Sequence, residues 1–343
     1  MKASVMLLML AATRFATAGA TVVPALDVPV DSKPVLEDRF PQASVAFAGE
    51  VESMPDLIYS VPPGFRPLRL DLYRSRNAPS IAGSLPLVVY VHGGGWQGGH
   101  TRHSGAFANW PEALALLASR GYVVASVEYR LSGEARFPAA IQDVKTAIRW
   151  LRSKSTQFGI DPSRAVIWGG SAGGHLAALA ATSCNVAALA PDLQSSLATQ
   201  SDCVQGLVTW YAVFDFVNAP LSGPIEQSAN SAVGKFLGCA PTDCKSTAEL
   251  ASPVTHLDKD DPPTLLIHGD RDKVVPVAQS QKFEQALLAK HIAVKFLLIK
   301  DVDHSFIGAD AEATRRASLQ ALSATFAFID ATVSRRGPAT ASR

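Results

Sequence analysis

The segment Gly169-Gly170-Ser171-Ala172-Gly173-Gly174 puts one hydroxyl among small residues, directly after the apolar run Ala165-Val166-Ile167-Trp168 and at the start of an Ala-rich stretch, Ala172 to Ala181. A serine on a tight strand-to-helix turn needs small neighbours, because the backbone there is strained and crowded. The same turn holds the Oγ clear of the sheet, near a helix N-terminus. The chemistry on offer is nucleophilic attack. The competing reading is a Gly-rich turn with an N-capping serine. A phosphate loop does not fit, since the lysine of a G-x-x-x-x-G-K pattern is absent.

A second constellation, His92-Gly93-Gly94-Gly95-Trp96, follows the apolar run that ends at Val91. Consecutive glycines let backbone N–H groups approach a ligand oxygen closely, and a tetrahedral oxyanion needs such preorganised donors about 3 Å away. The expected donors are the N–H groups of Gly94, Gly95 and Ala172. His92 precedes the turn and is expected to order the loop by hydrogen bonding, not to act as a base. Trp96 is expected to wall the acyl site.

A serine nucleophile requires a base and a group to orient it, and in a sheet of this kind they follow in the order serine, acid, histidine. Two post-strand segments supply them, His268-Gly269-Asp270-Arg271-Asp272-Lys273-Val274-Val275-Pro276 and Asp301-Val302-Asp303-His304-Ser305-Phe306. His304 is the candidate base. Asp272 is the preferred acid, with Asp270 its rival. These Asp and His residues lie on different loops without tight ligand spacing, so neither a metal nor another cofactor is expected.

The elements that must position these groups are legible as strand-length apolar runs alternating with helix-length segments. The series runs Leu85 to Val91, Trp110 to Ser119, Val123 to Tyr129, Pro138 to Phe158, Ala165 to Trp168 and Ala172 to Ala181. It continues with Val204 to Tyr211, Thr264 to His268, Val277 to His291, Val294 to Ile299 and Ala311 to Ile329. Alternation of this kind implies an α/β fold with a mostly parallel sheet and helices on both faces. Strand cores such as Leu87-Val88-Val89-Tyr90-Val91 are continuously apolar, as strands covered on both sides should be. Ligands bind at the carboxyl ends of such strands, where all the candidate groups lie.

Length and composition agree with one large core. The chain has 343 residues, 48% hydrophobic and only 18% charged, and 31 Lys+Arg against 30 Asp+Glu leave a formal net charge of +1. No long-range field attracts nucleic acid or anionic lipid. Residues 1–20 read as a secretory signal, with Lys2 before the run Val5 to Ala12 and small residues up to Ala20. No stretch is long and apolar enough for a membrane anchor. Residues 21–60, punctuated by Pro24, Pro29, Pro34 and Pro41, are expected to form an extended arm, 61–332 the catalytic domain and 333–343 a tail. Four cysteines, without zinc spacing, favour the local pairing of Cys184 with Cys203 and Cys239 with Cys244, which suits a secreted or periplasmic protein. Four reduced, buried thiols are the alternative.

Taken together the motifs resemble the α/β-hydrolase superfamily, specifically the esterases grouped with bifunctional feruloyl and acetyl-xylan esterases, near the hormone-sensitive-lipase-like and kynurenine formamidase groups. The resemblance covers roughly residues 60 to 330 and is carried by His92 to Trp96, Tyr129-Arg130-Leu131 with Phe137 to Ala140 and Asp143, Gly169 to Ala177, Ser252-Pro253, and His268-Gly269 with Asp272, Val275 and Pro276. It implies a serine esterase with nucleophile Ser171, acid Asp272 and base His304, acting on a small or polysaccharide-linked acetyl or feruloyl ester. An amidase or arylformamidase with the same triad is the runner-up, and a catalytically silent binding relative the reading outside enzymes. The segment from Asn185 to Asp202 and the Cys239 to Cys244 loop depart from the simplest pattern as insertions, the kind of feature that sets substrate choice.

Overall fold

A computed structural model describes residues 43–77, 85–184, 186–191, 196–218 and 228–333. The proposed signal at 1–20, most of the proline-punctuated segment and the tail beyond 333 lie outside the described residues. Among the described residues nine strands form one sheet: β1 (Val45–Phe47), β2 (Val51–Ser60), β3 (Leu68–Ser75), β4 (Leu85–Val91), β5 (Val123–Val127), β6 (Ile160–Gly170), β7 (Gly206–Trp210), β8 (Thr264–Gly269) and β9 (Val294–Ile299), in the order β1-β2-β3-β5-β4-β6-β7-β8-β9. The pairs β1 with β2, β2 with β3 and β3 with β5 are antiparallel, and every pair from β5 to β9 is parallel.

Among the described residues there are eight helices: α1 (Trp110–Ala118), α2 (Ala139–Ser153), α3 (Ser155–Phe158), α4 (Ala172–Thr182), α5 (Ala232–Leu237), α6 (Lys245–Ala251), α7 (Ala278–Ala289) and α8 (Ala311–Val333). Side chains on β4 alternate between two cores. Leu87, Val89 and Val91 pack with residues of α2, α4 and α7, whereas Val88 and Tyr90 pack with α1 and α8. Burial on both faces explains why the strand reads as an unbroken apolar run.

The expected arm at 21–60 is corrected where it is described. From Val45 onward it is two sheet strands, with β2 paired to β3 over seven registered positions from Val51 to Ser60. The four prolines that suggested an arm all precede β1. Pro55, inside β2, falls within the register shift between Met54 and Leu57, where a bulge tolerates a residue without an N–H. The segment read as one helix from Pro138 to Phe158 is two, broken at Lys154.

Candidate active site

Ser171 sits between the last residue of β6 and the first of α4, with φ 54° and ψ −125°. A non-glycine residue at positive φ costs energy, and packing around it maintains the strain. Here the turn is locked from both sides. The Ser171 N–H donates to the Trp210 carbonyl at 2.8 Å, and its own carbonyl accepts from the His175 N–H at 2.9 Å. Gly173 must be glycine, since a Cβ there would stand 2.1 Å from the Val91 carbonyl oxygen. Close approach of α4 to the end of β4 is thus what sets the serine beside the loop His92–Trp96.

His304 lies on the turn after β9, and its Nε2 is 3.0 Å from Ser171 Oγ. Its Nδ1 is 2.8 Å from Asp272 Oδ2, on the turn after β8. With the Nδ1–H donating to the carboxylate, Nε2 presents its lone pair to the hydroxyl. The carboxylate is fully enclosed and its other oxygen, Oδ1, accepts from the N–H groups of Val274 at 2.9 Å and Val275 at 2.8 Å. Burial by itself would raise the pKa of Asp272, but hydrogen bonds from His268 and His304, with further help from the Val275 N–H, hold it well below the usual carboxylate range. Asp303 fastens the two turns together by accepting from both the Lys273 and His304 N–H groups. Asp270, the rival acid, is occupied elsewhere: it accepts from the Asp301 N–H at 2.7 Å and pairs with Lys300.

His268 is a contributor that carried no role in the sequence. Its ring is fully buried at the end of β8, with Nδ1 2.7 Å from Ser280 Oγ and Nε2 2.9 Å from the Val275 carbonyl and 3.2 Å from Asp272 Oδ2. Both neighbours of Nε2 are acceptors, so the proton resides there and Nδ1 accepts from the Ser280 hydroxyl. Its position four residues before Asp272, on the same strand end, is the signal that could have found it.

The serine and histidine open into a groove of about 460 Å³ lined by Gly93, Gly94, Gly95, His103, Ser104 and Tyr211 among others. Gly94 has φ 114°, and a Cβ there would stand 2.2 Å from the Gly98 carbonyl oxygen, so the loop can adopt this shape only with glycine. The Ala172 N–H belongs to the first turn of α4, where backbone donors have no intrahelical acceptor. The structure therefore brings Ser171, Asp272 and His304 together and places Gly94, Gly95 and Ala172 around the serine. His92 is not among the groove-lining residues: its Nδ1 is 2.8 Å from the Gly93 carbonyl, its ring stacks on Tyr129, and burial lowers its pKa to about 4. Arg130 and Asp143 form a structural ion pair, Nη2 to Oδ1 2.8 Å.

Trp96 needs correction. Its indole is absent from the groove lining and only 3% exposed, stacked on Phe236 at 4.7 Å and edge-on to His175, while its Nε1–H donates to His175 Nδ1 at 3.2 Å. With φ 58° the backbone turns at Trp96 and carries the ring beneath the loop instead of across the groove. Trp96→Ala should therefore cost about 3–5 kcal/mol of stability, the usual price of emptying a buried aromatic site. Denaturant unfolding measures that loss. The acyl chain-length profile should keep the parent's shape, and a selective gain on long chains would return the ring to the acyl site.

The paired disulfides are Cys184 with Cys203, Cα atoms 4.9 Å apart, and Cys239 with Cys244, 6.2 Å apart. The first ties the end of α4 to the approach to β7, and the second closes the turn between α5 and α6. Among the described residues no group of His, Cys, Asp or Glu is arranged to hold a metal ion.

A mostly parallel sheet with a serine on a strained β6-to-α4 turn, and an acid and a histidine on the turns after β8 and β9, defines the α/β-hydrolase fold. Residues 70–287 match the BD-FAE family model, and the chain belongs to that family. It is 33% identical to the esterase LipQ of Mycobacterium tuberculosis over 76% of this chain and 58% of LipQ. To the esterase LipC of the same organism it is 32% identical, over 69% of this chain and 56% of LipC. The chain thus spans little more than half the length of these relatives. Among solved structures, a truncated carbohydrate esterase from gut microbiota superposes with a TM-score of 0.68 at 25% identity, covering 82% of this chain and 96% of that one. A bifunctional GH43-CE protein of Bacteroides eggerthii gives 0.68 at 28% identity, covering 84% of this chain and 36% of that one.

Proposed function

We propose that the chain is a carboxylic ester hydrolase working through a Ser171, His304 and Asp272 triad and an acyl-enzyme. The observation that carries this reading is the unbroken line of contacts from Asp272 Oδ2 to His304 Nδ1 at 2.8 Å and from His304 Nε2 to Ser171 Oγ at 3.0 Å, opening into a groove. Ser171 Oγ attacks the ester carbonyl as His304 takes its proton, and the carbonyl oxygen becomes an oxyanion facing the N–H groups of Gly94, Gly95 and Ala172. Collapse of the tetrahedral species expels the alcohol, which receives the proton from His304. Water, deprotonated by the same imidazole, then releases the acid and restores the serine. Asp272, ionised throughout, holds the ring in the tautomer that leaves Nε2 free and stabilises the imidazolium.

Short-chain acyl groups such as acetyl, or feruloyl groups, borne on a carbohydrate are the substrate reading supported by the family and by the solved carbohydrate esterases. Export to an oxidising compartment is supported by the two disulfides. No helix among the described residues is long and apolar enough to cross a membrane. Initial rates on p-nitrophenyl esters of rising chain length, beside acetylated xylan, methyl ferulate and N-formylkynurenine, test the reading. Turnover of the formamide alone would replace it with an arylformamidase.

A further inference from the structure

A second cavity, of about 580 Å³, adjoins the oxyanion loop. One turn, Gly94 to Gly98, contributes lining residues to both cavities and is closed by the N–H groups of Gln97 and Gly98 donating to the Gly94 carbonyl at 3.1 Å each. Gly94, Gly95 and Gly98 line the groove beside Ser171, while Gln97 lines the second cavity. On the far side α5 closes in, with the Cβ of Ala232 lying 3.6 Å from where a Cβ on Gly95 would stand.

The lining has a definite chemical character. Arg136 and Lys235 contribute two cations, and Gln97, Ser132 and Asn230 contribute amides and a hydroxyl. None of the described lining residues is acidic. The nearest acid in sequence, Glu134, is already engaged by Arg66 at 2.7 Å and by the Leu131 N–H at 2.9 Å. Arg136 is exposed, with its stem lying across Gly238, where a Cβ would come within 2.5 Å of Arg136 Cδ, and the next residue is tied to α5 by the Phe137 N–H donating to the Phe236 carbonyl at 2.9 Å. Lys235 stands on α5 itself, whose C-terminal end is fixed by the Cys239 N–H on the Gly234 carbonyl at 3.1 Å and by the Cys239 to Cys244 disulfide.

Resting on the esterase reading above, we propose that this cavity is a subsite for the alcohol part of the substrate and that it selects an acidic sugar. The ring hydroxyls meet Gln97, Ser132 and Asn230, and a carboxylate meets Arg136 and Lys235. Two cations in a concave site whose described lining residues include no acid bind a carboxylate better than a neutral group of the same shape. With a chain net charge of +1 the attraction is local to this cavity, and salt weakens it.

The test compares kcat/KM on an O-acetylated methyl glucuronoside and the corresponding O-acetylated methyl glucoside, for the parent and for the double variant Arg136→Gln, Lys235→Gln. The parent should favour the acidic sugar roughly tenfold, chiefly through KM, as expected of two partly exposed ion pairs. That ratio should shrink at high salt and fall to about one in the double variant, whose rate on p-nitrophenyl acetate and melting temperature stay at the parent's values. A parent ratio near one, or a preference that survives the double substitution, overturns the subsite while leaving the esterase reading intact. Failure to hydrolyse p-nitrophenyl acetate as well as both sugars removes the esterase reading and the subsite with it.

Discussion

Ser171→Ala should lower kcat on any ester substrate by roughly five to six powers of ten while changing stability by no more than about 1 kcal/mol. The size of the loss follows from the geometry. Ser171 Oγ–H is the donor in the His304 contact, and without this hydroxyl no covalent intermediate forms; the Gly94, Gly95 and Ala172 donors can still polarise a bound carbonyl toward attack by water. A residual rate of about 10³ to 10⁴ over the uncatalysed reaction is the usual remainder. The small effect on stability follows because alanine occupies the same strained φ of 54° and the backbone bonds to Trp210 and His175 do not involve the hydroxyl. Steady-state kinetics and thermal unfolding on the same preparation measure both. Turnover near the parent's level would place the nucleophile elsewhere.

Asp272→Asn should reduce kcat by about 10⁴, whereas Asp270→Asn should cost less than about tenfold. An asparagine at 272 keeps its carbonyl oxygen on the two N–H groups of Val274 and Val275, which turns its NH₂ toward His304 Nδ1. Nδ1 must then accept, the ring proton moves to Nε2, and a donor instead of a base faces Ser171 Oγ. The same NH₂ also meets the Nε2–H of His268, donor against donor. Asp270 contacts neither ring and holds only the Asp301 N–H and Lys300, so its amide preserves most of the turn. Parallel kcat measurements on the two variants decide the matter. Equal losses, or a larger loss at Asp270, would move the orienting role away from Asp272.

The contrast between Asp270 and Asp272 also marks how far the sequence reaches. Ser171, the glycine loop at 92–96 and His304 stand out in one dimension because each follows an apolar run directly, and the turn after a buried strand is where a doubly covered sheet presents side chains to a ligand. The choice between Asp270 and Asp272 does not stand out, since both lie on the same turn two residues apart. Only the register of β8 against β9, which pairs Gly269 with Ile299, sends one carboxylate to His304 and the other to the backbone of the next loop. Trp96 was misleading for a related reason. Its sequence position beside the oxyanion glycines is adjacent to the acyl site, but its φ of 58° carries the ring into the pocket formed by His175, Phe216 and Phe236, residues far away in the chain.

By itself, then, the amino-acid sequence determined the class of fold, through continuous apolar strands alternating with helices, and singled out the candidate reacting groups, through small-residue turns that only a few residue types can form. The tertiary structure decided the rest. It joined β1 and β2 to the sheet as strands, because the alternation in β2 is interrupted at Pro55 and is completed only by pairing with β3. It also recruited His268 and Ser280 behind Asp272 and set two cations of separate elements, Arg136 and Lys235, around one cavity. The physical reason is common to all three. A turn or a strand is specified by local sterics and hydrophobic burial, which neighbouring residues encode, whereas which side chain meets which across the sheet depends on strand register and helix packing, and these are fixed only when the whole core closes.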